Sequence, residues 1–131
     1  MYLLKKMAVK RVLFIDDEED IKTLASFCLK TEAGWQMLSA ANGREGIAMA
    51  QKEQPDAILL DAMMPELDGL QTIAQLQINP TTQQIPVIFI TAKAQASDRR
   101  RFYAAGAKGV INKPFDAITL ASQISSFLGW S

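Results

Sequence analysis

Short apolar runs alternate along this chain with longer stretches in which apolar residues recur every three or four positions. The runs are RVLFI (residues 11–15), WQMLSA (35–40), AILL (57–60), VIFI (87–90) and GVIN (109–112). Several of them are apolar almost throughout, which is typical of strands that are covered on both faces. We therefore predict five buried β-strands.

Each run is followed by a pattern that favours an amphipathic helix. We expect these helices at about residues 18–30, 44–53, from 70 onward, 97–105 and 116–128. The apolar positions that share one face are Ile21, Leu24, Ala25 and Cys28 in the first helix, and Leu120, Ile124, Phe127 and Leu128 in the last. Five strands that alternate with five helices predict an α/β fold in which a parallel sheet carries helices on both faces.

Composition narrows the class of protein. The chain has 131 residues, of which 49% are hydrophobic and 21% are charged, as expected for one globular domain. Lys plus Arg and Asp plus Glu both number 14, so net charge offers no reason to expect direct binding of nucleic acid. No apolar run is long enough for membrane insertion, and we expect a cytoplasmic protein. We assign residues 1–9 to an N-terminal extension and residues 10–131 to the domain.

The sequence contains no histidine and a single cysteine, Cys28. An internal disulfide, a Cys/His metal site and a catalytic group that depends on histidine are therefore excluded. Cys28 recurs at helical spacing with apolar residues, so we interpret it as a small buried hydrophobic side chain.

Polar residues follow four of the predicted strands directly, and the carboxyl ends of parallel strands are where open α/β sheets bind ligands. These residues are Asp16, Asp17 and Glu18 after the first strand, Asp61 after the third, Thr91 after the fourth and Lys113 after the fifth. Taken singly, each has an ordinary explanation, such as favourable charge at a helix N-terminus for residues 16–19. Their convergence on one edge of the sheet instead favours a functional site.

Clustered carboxylates without histidine or cysteine favour a hard cation, Mg²⁺ or Mn²⁺, which often completes its shell with phosphate oxygens. Asp61 is the best candidate for a nucleophile, because aspartate can form an aspartyl phosphate. Lys113 would supply a compact positive charge to the phosphoryl oxygens, and Thr91 a hydroxyl group. Pro65 and Gly69 would shape the loop that leads from Asp61 into the third helix.

Four segments together resemble the receiver domains of two-component response regulators. They are FIDDE (residues 14–18), LLDAMMPELDG (59–69), ITA (90–92) and NKPF (112–115). The resemblance covers residues from about 10 to 128. It implies a flavodoxin-like (βα)5 fold, doubly wound, with strand order 2-1-3-4-5.

The resemblance also implies a role for each site residue. Asp61 would accept a phosphoryl group from a histidine kinase or a histidine phosphotransfer protein. Asp17 would bind Mg²⁺ directly, Asp16 directly or through water, and the backbone carbonyl of Met63 would complete the protein's share of the metal shell. Thr91 would be the switch hydroxyl, and Lys113 would pair with the phosphate and precede a cis bond to Pro114.

The chain departs from the receiver pattern at one position. Receivers often carry Tyr or Phe three residues before the lysine, and this chain has Val110 there. An aliphatic side chain therefore stands where the family usually couples a rotating aromatic ring to the switch hydroxyl. Met63 and Lys93 occupy positions that tune dephosphorylation in the family.

The sequence therefore predicts a phosphorylation-activated switch that signals by protein–protein contact and catalyses only its own phosphorylation and dephosphorylation. We expect a monomer or a weak phosphorylation-dependent dimer.

A receiver-like module that works without phosphate, or a receiver excised from a hybrid kinase or longer regulator, is the alternative. An aspartyl-phosphate enzyme is less consistent with Met63, where such enzymes need a carboxylate. A flavin or nucleotide site conflicts with the acidic loop at residues 16–20.

Overall fold

A five-stranded parallel sheet forms the centre of the molecule. The structure is a computed structural model and describes residues 9–64, 67–92 and 94–130. Its strands are β1 Arg11–Ile15, β2 Gln36–Ala40, β3 Ala57–Asp61, β4 Val87–Thr91 and β5 Gly109–Asn112. Its helices are α1 Glu19–Ala33, α2 Gly43–Glu53, α3 Gly69–Ile78, α4 Ala96–Ala104 and α5 Leu120–Leu128. Residues 1–8 of the predicted N-terminal extension lie outside the described residues, as do Pro65 and Lys93, for which the sequence predicts roles in the loop after Asp61 and in dephosphorylation.

The strands lie in the order β2-β1-β3-β4-β5, and every neighbouring pair is parallel. Leu13 of β1, for example, pairs with Leu38 on one side and with Ile58 on the other. The chain thus moves outward from β1 to β2 and then returns to the other side of β1. This reversal creates a switch point between the carboxyl ends of β1 and β3, where open α/β sheets bind ligands. The predicted fold class is confirmed.

Alternate residues of the central strands enter two separate cores, as the twofold repeat of a strand requires. Leu13, Leu60 and Phe89 face the core under α2, α3 and α4. Phe14 and Ile90 face the core under α1 and α5. All five side chains are fully buried, which explains why these strands have apolar residues on both faces.

The predicted buried face of α1 is partly wrong. Ala25 and Cys28 are buried as expected, but Leu24 is 48% exposed. Leu29 and Lys22 take the buried positions instead. The reason is that α1 packs against both β2 and α5, so the buried surface of the helix is rotated toward Lys22 and away from Leu24.

The last helix begins at Leu120 and not near residue 116. The Asp116 carboxylate accepts a hydrogen bond from the Ile118 N–H at 2.9 Å, and the Asp116 carbonyl accepts one from Thr119 N–H at 3.2 Å. An aspartate that bonds to its own backbone two residues later favours a turn over a helix. Leu120 and Ile124 are buried as predicted, whereas Phe127 is 38% exposed.

Within the described part of the chain, none of the helices has the length and apolar character that crossing a membrane requires.

Candidate phosphoacceptor and metal site

Four carboxylates meet at the carboxyl end of the sheet. Asp61 is the last residue of β3, and Asp16, Asp17 and Glu18 lie between β1 and α1. One oxygen from each of these four residues lies within 4.8 Å of the other three. Asp16 and Asp61 are buried, whereas Asp17 and Glu18 are exposed. The structure therefore brings together the carboxylates that the sequence predicts to converge.

Asp16 is fixed by hydrogen bonds on both sides of its Cα atom. Its backbone N–H donates to the Ala40 carbonyl at 3.1 Å, which ties the end of β1 to the end of β2. Its Oδ1 atom accepts from the Glu18 N–H at 2.8 Å. Because the side chain has no exposed surface, these contacts hold the carboxylate in one orientation at the base of the cluster.

Lys113 is the cation of the site. Its Nζ atom lies 2.7 Å from Asp16 Oδ2, 3.1 Å from Glu18 Oε1 and 3.5 Å from Asp61 Oδ2. Its backbone N–H donates to the Thr91 carbonyl at 2.9 Å, which links the ends of β4 and β5. The Lys113–Pro114 bond is cis, as the family resemblance implies. Lys113 is thus held at the site through both its backbone and its side chain.

The arrangement fits a hard cation. Asp16 Oδ2 is buried and has no hydrogen-bond donor among the described residues, and its 2.7 Å contact with Lys113 Nζ is an ion pair. Three further carboxylates face the same space, and all the donors are oxygen atoms. Such a set suits Mg²⁺ or Mn²⁺, and poorly suits a softer metal.

The electrostatic environment changes the acidity of two groups. Burial raises the pKa of Asp61 from its ordinary value of 3.8 to about 6, and the Asp16 charge adds to this effect. The Met63 N–H, which donates to Asp61 Oδ1 at 3.1 Å, and the Lys113 ammonium act in the opposite direction on this pKa. For Lys113, burial alone would lower the pKa, but its close contacts with the Asp16 and Glu18 carboxylates raise it to about 12. Lys113 is therefore charged at any physiological pH.

Gly69 determines how closely the start of α3 approaches Asp61. Its N–H donates to the Ala62 carbonyl at 3.2 Å. A Cβ atom at Gly69 would lie 2.7 Å from the Asp61 carbonyl oxygen, from the Ala62 Cα atom and from the Phe89 ring. Two of these neighbours are backbone atoms, which cannot move aside without displacing Asp61.

We expect Gly69→Ala to lower the free energy of unfolding by about 1–3 kcal/mol, because overpacking against backbone forces the surrounding chain to shift. Urea denaturation would measure the loss. Gly34→Ala is a suitable control, since Gly34 has a positive φ of 71° but no atom within 4 Å of its added Cβ. Only Gly69→Ala should also weaken Mg²⁺ binding, and equal Mg²⁺ affinity in both variants would contradict this role.

Thr91 and Val110 lie on the neighbouring strands β4 and β5. Thr91 is the last residue of β4 and is fully buried. Val110, in the position where receivers often have an aromatic residue, is 4% exposed and packs in the core that contains Phe89 and Phe102. The Phe89 and Phe102 rings stack with their centroids 4.5 Å apart, so an aromatic pair links β4 to α4 at this level of the core.

The sequence did not predict two of the contacts at or near the site. Glu18 pairs with Lys113, and Lys22 reaches the Ala40 carbonyl from inside α1. The only sequence signal for Lys22 was its position within a helix whose neighbours are apolar. That signal is weak, because a lysine on a helix is ordinarily solvated.

Comparison with known proteins identifies the family. Residues 12–125 match the model of the response regulator receiver domain. The chain is 37% identical over 118 residues to protein PilH of Pseudomonas aeruginosa, covering 90% of this chain and 97% of PilH. It is 36% identical to the DNA-binding dual master transcriptional regulator RpaA of Synechocystis, again over 90% of this chain, but it spans only 48% of RpaA.

The fold leads to the same family. Chemotaxis protein CheY4 of Vibrio cholerae has a solved structure that matches 92% of this chain and 99% of its own, with a TM-score of 0.85 and 30% identity. A putative response regulator from Chloroflexus aurantiacus gives the same TM-score at 26% identity. The chain therefore belongs to the response regulator receiver domains, the phosphorylation-activated signalling switches of two-component systems.

Proposed function

We propose that Asp61 is the phosphoacceptor of this receiver domain, and that its phosphoryl donor is a histidine kinase or a histidine phosphotransfer protein. One observation carries the assignment. Asp61 is a buried carboxylate at the end of a central strand, 3.5 Å from the Lys113 ammonium, whose side chain is 11% exposed, and close to three further carboxylates. A lone structural aspartate would not need this surrounding charge.

The residues that would hold Mg²⁺ or Mn²⁺ are Asp16, Asp17 and Asp61 through their side chains and Met63 through its backbone carbonyl. When bound, the metal ion would supply neutralisation of the charge on the phosphoryl oxygens. Asp16 and Asp61 are buried, and their attraction to a metal ion is stronger there than in water because the surrounding protein screens charge less. The raised pKa of Asp61 adds a requirement, since the carboxylate must lose its proton before it can react.

In the reaction, an Asp61 carboxylate oxygen forms a bond to phosphorus as the bond from phosphorus to the donor's imidazole nitrogen breaks, and the imidazole leaves. The product is an acyl phosphate, which water later hydrolyses back to the carboxylate and inorganic phosphate. Lys113 pairs with the phosphoryl oxygens, which requires it to exchange at least one of its present carboxylate partners. The Thr91 hydroxyl donates a hydrogen bond to the phosphoryl group.

The output of the domain is a change in protein contacts. Phosphorylation shifts a conformational equilibrium only by the difference in its interaction with the two states, and Thr91 and Lys113 supply that difference. The partners are a kinase or phosphotransfer protein and a downstream protein target, without direct contact to nucleic acid and without membrane insertion. We place the protein in the cytoplasm, as a monomer or weak phosphorylation-dependent dimer that acts catalytically only on its own phosphoryl group.

Intact mass spectrometry tests the assignment directly. After incubation with Mg²⁺ and acetyl phosphate, the wild-type protein should gain one phosphoryl group, and Asp61→Asn should gain none. Asp68→Asn is the matched control, because Asp68 is an aspartate of the same loop whose side chain caps α3. That control should retain the adduct. An unmodified wild type, or an adduct that persists in Asp61→Asn, would refute Asp61 as the phosphoacceptor.

A further inference from the structure

Lys22 is a buried lysine that the proposed reaction does not use. It lies in the first turns of α1, and its side chain is only 2% exposed. Its Nζ atom donates to the Ala40 carbonyl at 3.2 Å and to Glu19 Oε1 at 3.1 Å. Lysine is among the residues that are almost never fully buried unless they are paired, so its partners need an account.

Glu19 compensates the Lys22 charge only in part. The Glu19 side chain is 75% exposed, so water screens its carboxylate strongly. The other partner, the Ala40 carbonyl, is a dipole and has no net charge. A buried ammonium with one exposed countercharge therefore projects part of its field into the surrounding protein, where screening by salt is weak.

The hydrogen bonds at Ala40 show which part of the protein lies next to the Lys22 ammonium. The carbonyl that accepts from Lys22 Nζ also accepts from the backbone N–H of Asp16. Lys22 and Asp16 thus share one acceptor oxygen, which places the ammonium close to the backbone of Asp16, a buried carboxylate residue of the cluster. The backbone N–H of Lys22 also bonds to the Glu18 carbonyl at 3.4 Å, as the first turn of α1 requires.

We propose that Lys22 is a built-in countercharge of the acidic site, which offsets carboxylate repulsion without metal and lowers the affinity for Mg²⁺. This inference rests on the proposed function, since it assumes that Mg²⁺ binds there. Lys113 contacts the carboxylates of the cluster directly and must be released to the phosphoryl group, whereas Lys22 bonds to Ala40 and Glu19 and can keep these partners in every step. Four carboxylates therefore keep one fixed positive neighbour, and the metal ion binds weakly enough to exchange.

Replacing Lys22 by methionine should raise the affinity for Mg²⁺. Methionine is an unbranched side chain that fills the same buried space and carries no charge. The loss of one positive charge near a divalent ion is expected to strengthen binding by about tenfold. Lys22→Arg keeps the charge and should stay within about threefold of wild type. A merely structural lysine would behave differently, because its loss would loosen the acidic loop and weaken metal binding.

The experiment is titration of each purified protein with Mg²⁺ by calorimetry, together with urea denaturation in the absence of metal. Lys30→Met is the matched control, because Lys30 lies in the last turn of the same helix and is exposed. Its Mg²⁺ affinity should equal that of wild type. Without metal, Lys22→Met should lose stability relative to the control at neutral pH, because the carboxylates repel one another, and the loss should shrink when Mg²⁺ is added.

The outcomes separate the two proposals. Tighter Mg²⁺ binding in Lys22→Met but not in Lys22→Arg or Lys30→Met supports the countercharge. Unchanged or weaker binding in Lys22→Met, with normal binding by wild type, overturns it and leaves the proposed function intact. If wild type itself binds no Mg²⁺ and forms no phosphoryl adduct, the proposed function fails first. Should Lys22→Met not fold, Lys22→Gln provides the same neutral comparison with a polar side chain.

Discussion

Replacing Lys113 by methionine will lower the free energy of unfolding of the metal-free protein by about 3 kcal/mol at pH 7. Lys113 lies within 3.5 Å of two buried carboxylates, Asp16 and Asp61. Removing one partner of a buried ion pair leaves the other charge unpaired, and that cost greatly exceeds the loss of an exposed salt bridge. Asp16 Oδ2 is affected most, because it has no hydrogen-bond donor among the described residues.

The pH range of this effect follows from the pKa of Lys113. That pKa is raised from 10.5 to about 12 in the folded protein, so the stabilisation that Lys113 provides is complete below pH 10.5 and is lost as the pH rises through about 12. The difference between wild type and Lys113→Met should therefore be large and nearly constant between pH 7 and 9. Urea denaturation at several pH values would measure it.

Two controls make the Lys113 result specific. Adding Asp16→Asn to Lys113→Met should restore much of the lost stability, because the neutral amide no longer requires a cation. Lys108→Met is a matched single variant, since Lys108 is an exposed lysine just before β5. It should cost well under 1 kcal/mol. A Lys113→Met protein as stable as Lys108→Met would show that the ion pairs of Lys113 contribute nothing to the fold.

Replacing Asp61 by asparagine will have the opposite effect and will stabilise the metal-free protein at neutral pH by on the order of 2 kcal/mol. Burial raises the pKa of Asp61 to about 6, so the folded protein binds the Asp61 proton more tightly than the unfolded chain does. The stabilisation that comes from this tighter proton binding is complete below pH 3.8 and is lost as the pH rises through about 6. Above that pH wild type carries the cost of a buried carboxylate, which asparagine avoids.

The stability difference between Asp61→Asn and wild type should therefore grow from pH 4 to pH 7 and level off above that. Thermal or urea unfolding across this range, in a chelating buffer, would record it. Asp56→Asn is a useful comparison, because Asp56 is an exposed aspartate at the opposite end of β3 whose carboxylate accepts a hydrogen bond from Arg11. It should show no such stabilisation at neutral pH.

Added Mg²⁺ should reverse the order of the two proteins. A ligand that binds only the folded state stabilises it, and the stabilisation grows with the logarithm of the ligand concentration once that concentration exceeds the dissociation constant. Wild type offers Asp61 as a ligand, whereas Asp61→Asn does not, so millimolar Mg²⁺ should stabilise wild type far more. If the variant gained as much from Mg²⁺ as wild type does, Asp61 would have no role in holding the metal ion.

The strands and the site residues at their ends could be predicted because both depend on short-range patterns. A strand that is buried on both faces must be apolar at every position, so β3 and β4 are visible as continuous runs. Asp61 alone could be a cap or turn residue, but polar residues at the ends of four such runs together favour a functional site. The strand order came from the resemblance to receivers, and the register of each strand pair became known only from the structure.

The exposed and buried faces of α1 were harder to predict, because a helix has no fixed direction until its neighbours are known. Leu24 and Lys22 are only two positions apart, and hydrophobicity alone assigns the wrong one to the core. The structure buries Lys22 because the carbonyl of Ala40 and the carboxylate of Glu19 receive its ammonium group. Leu24 is left at the surface, 48% exposed.

By itself, the sequence determined the number and order of the elements, the acidic character of the site and the identity of the nucleophile candidate, because periodicity and residue chemistry are local properties. Only the tertiary structure decided which charges meet. Lys113 is distant in sequence from Asp16 and Glu18, yet it forms ion pairs with both, and Lys22 bonds to the same Ala40 carbonyl as the Asp16 N–H. Coulomb energy depends on distance in space and on burial, and neither quantity is present in a chain before it folds.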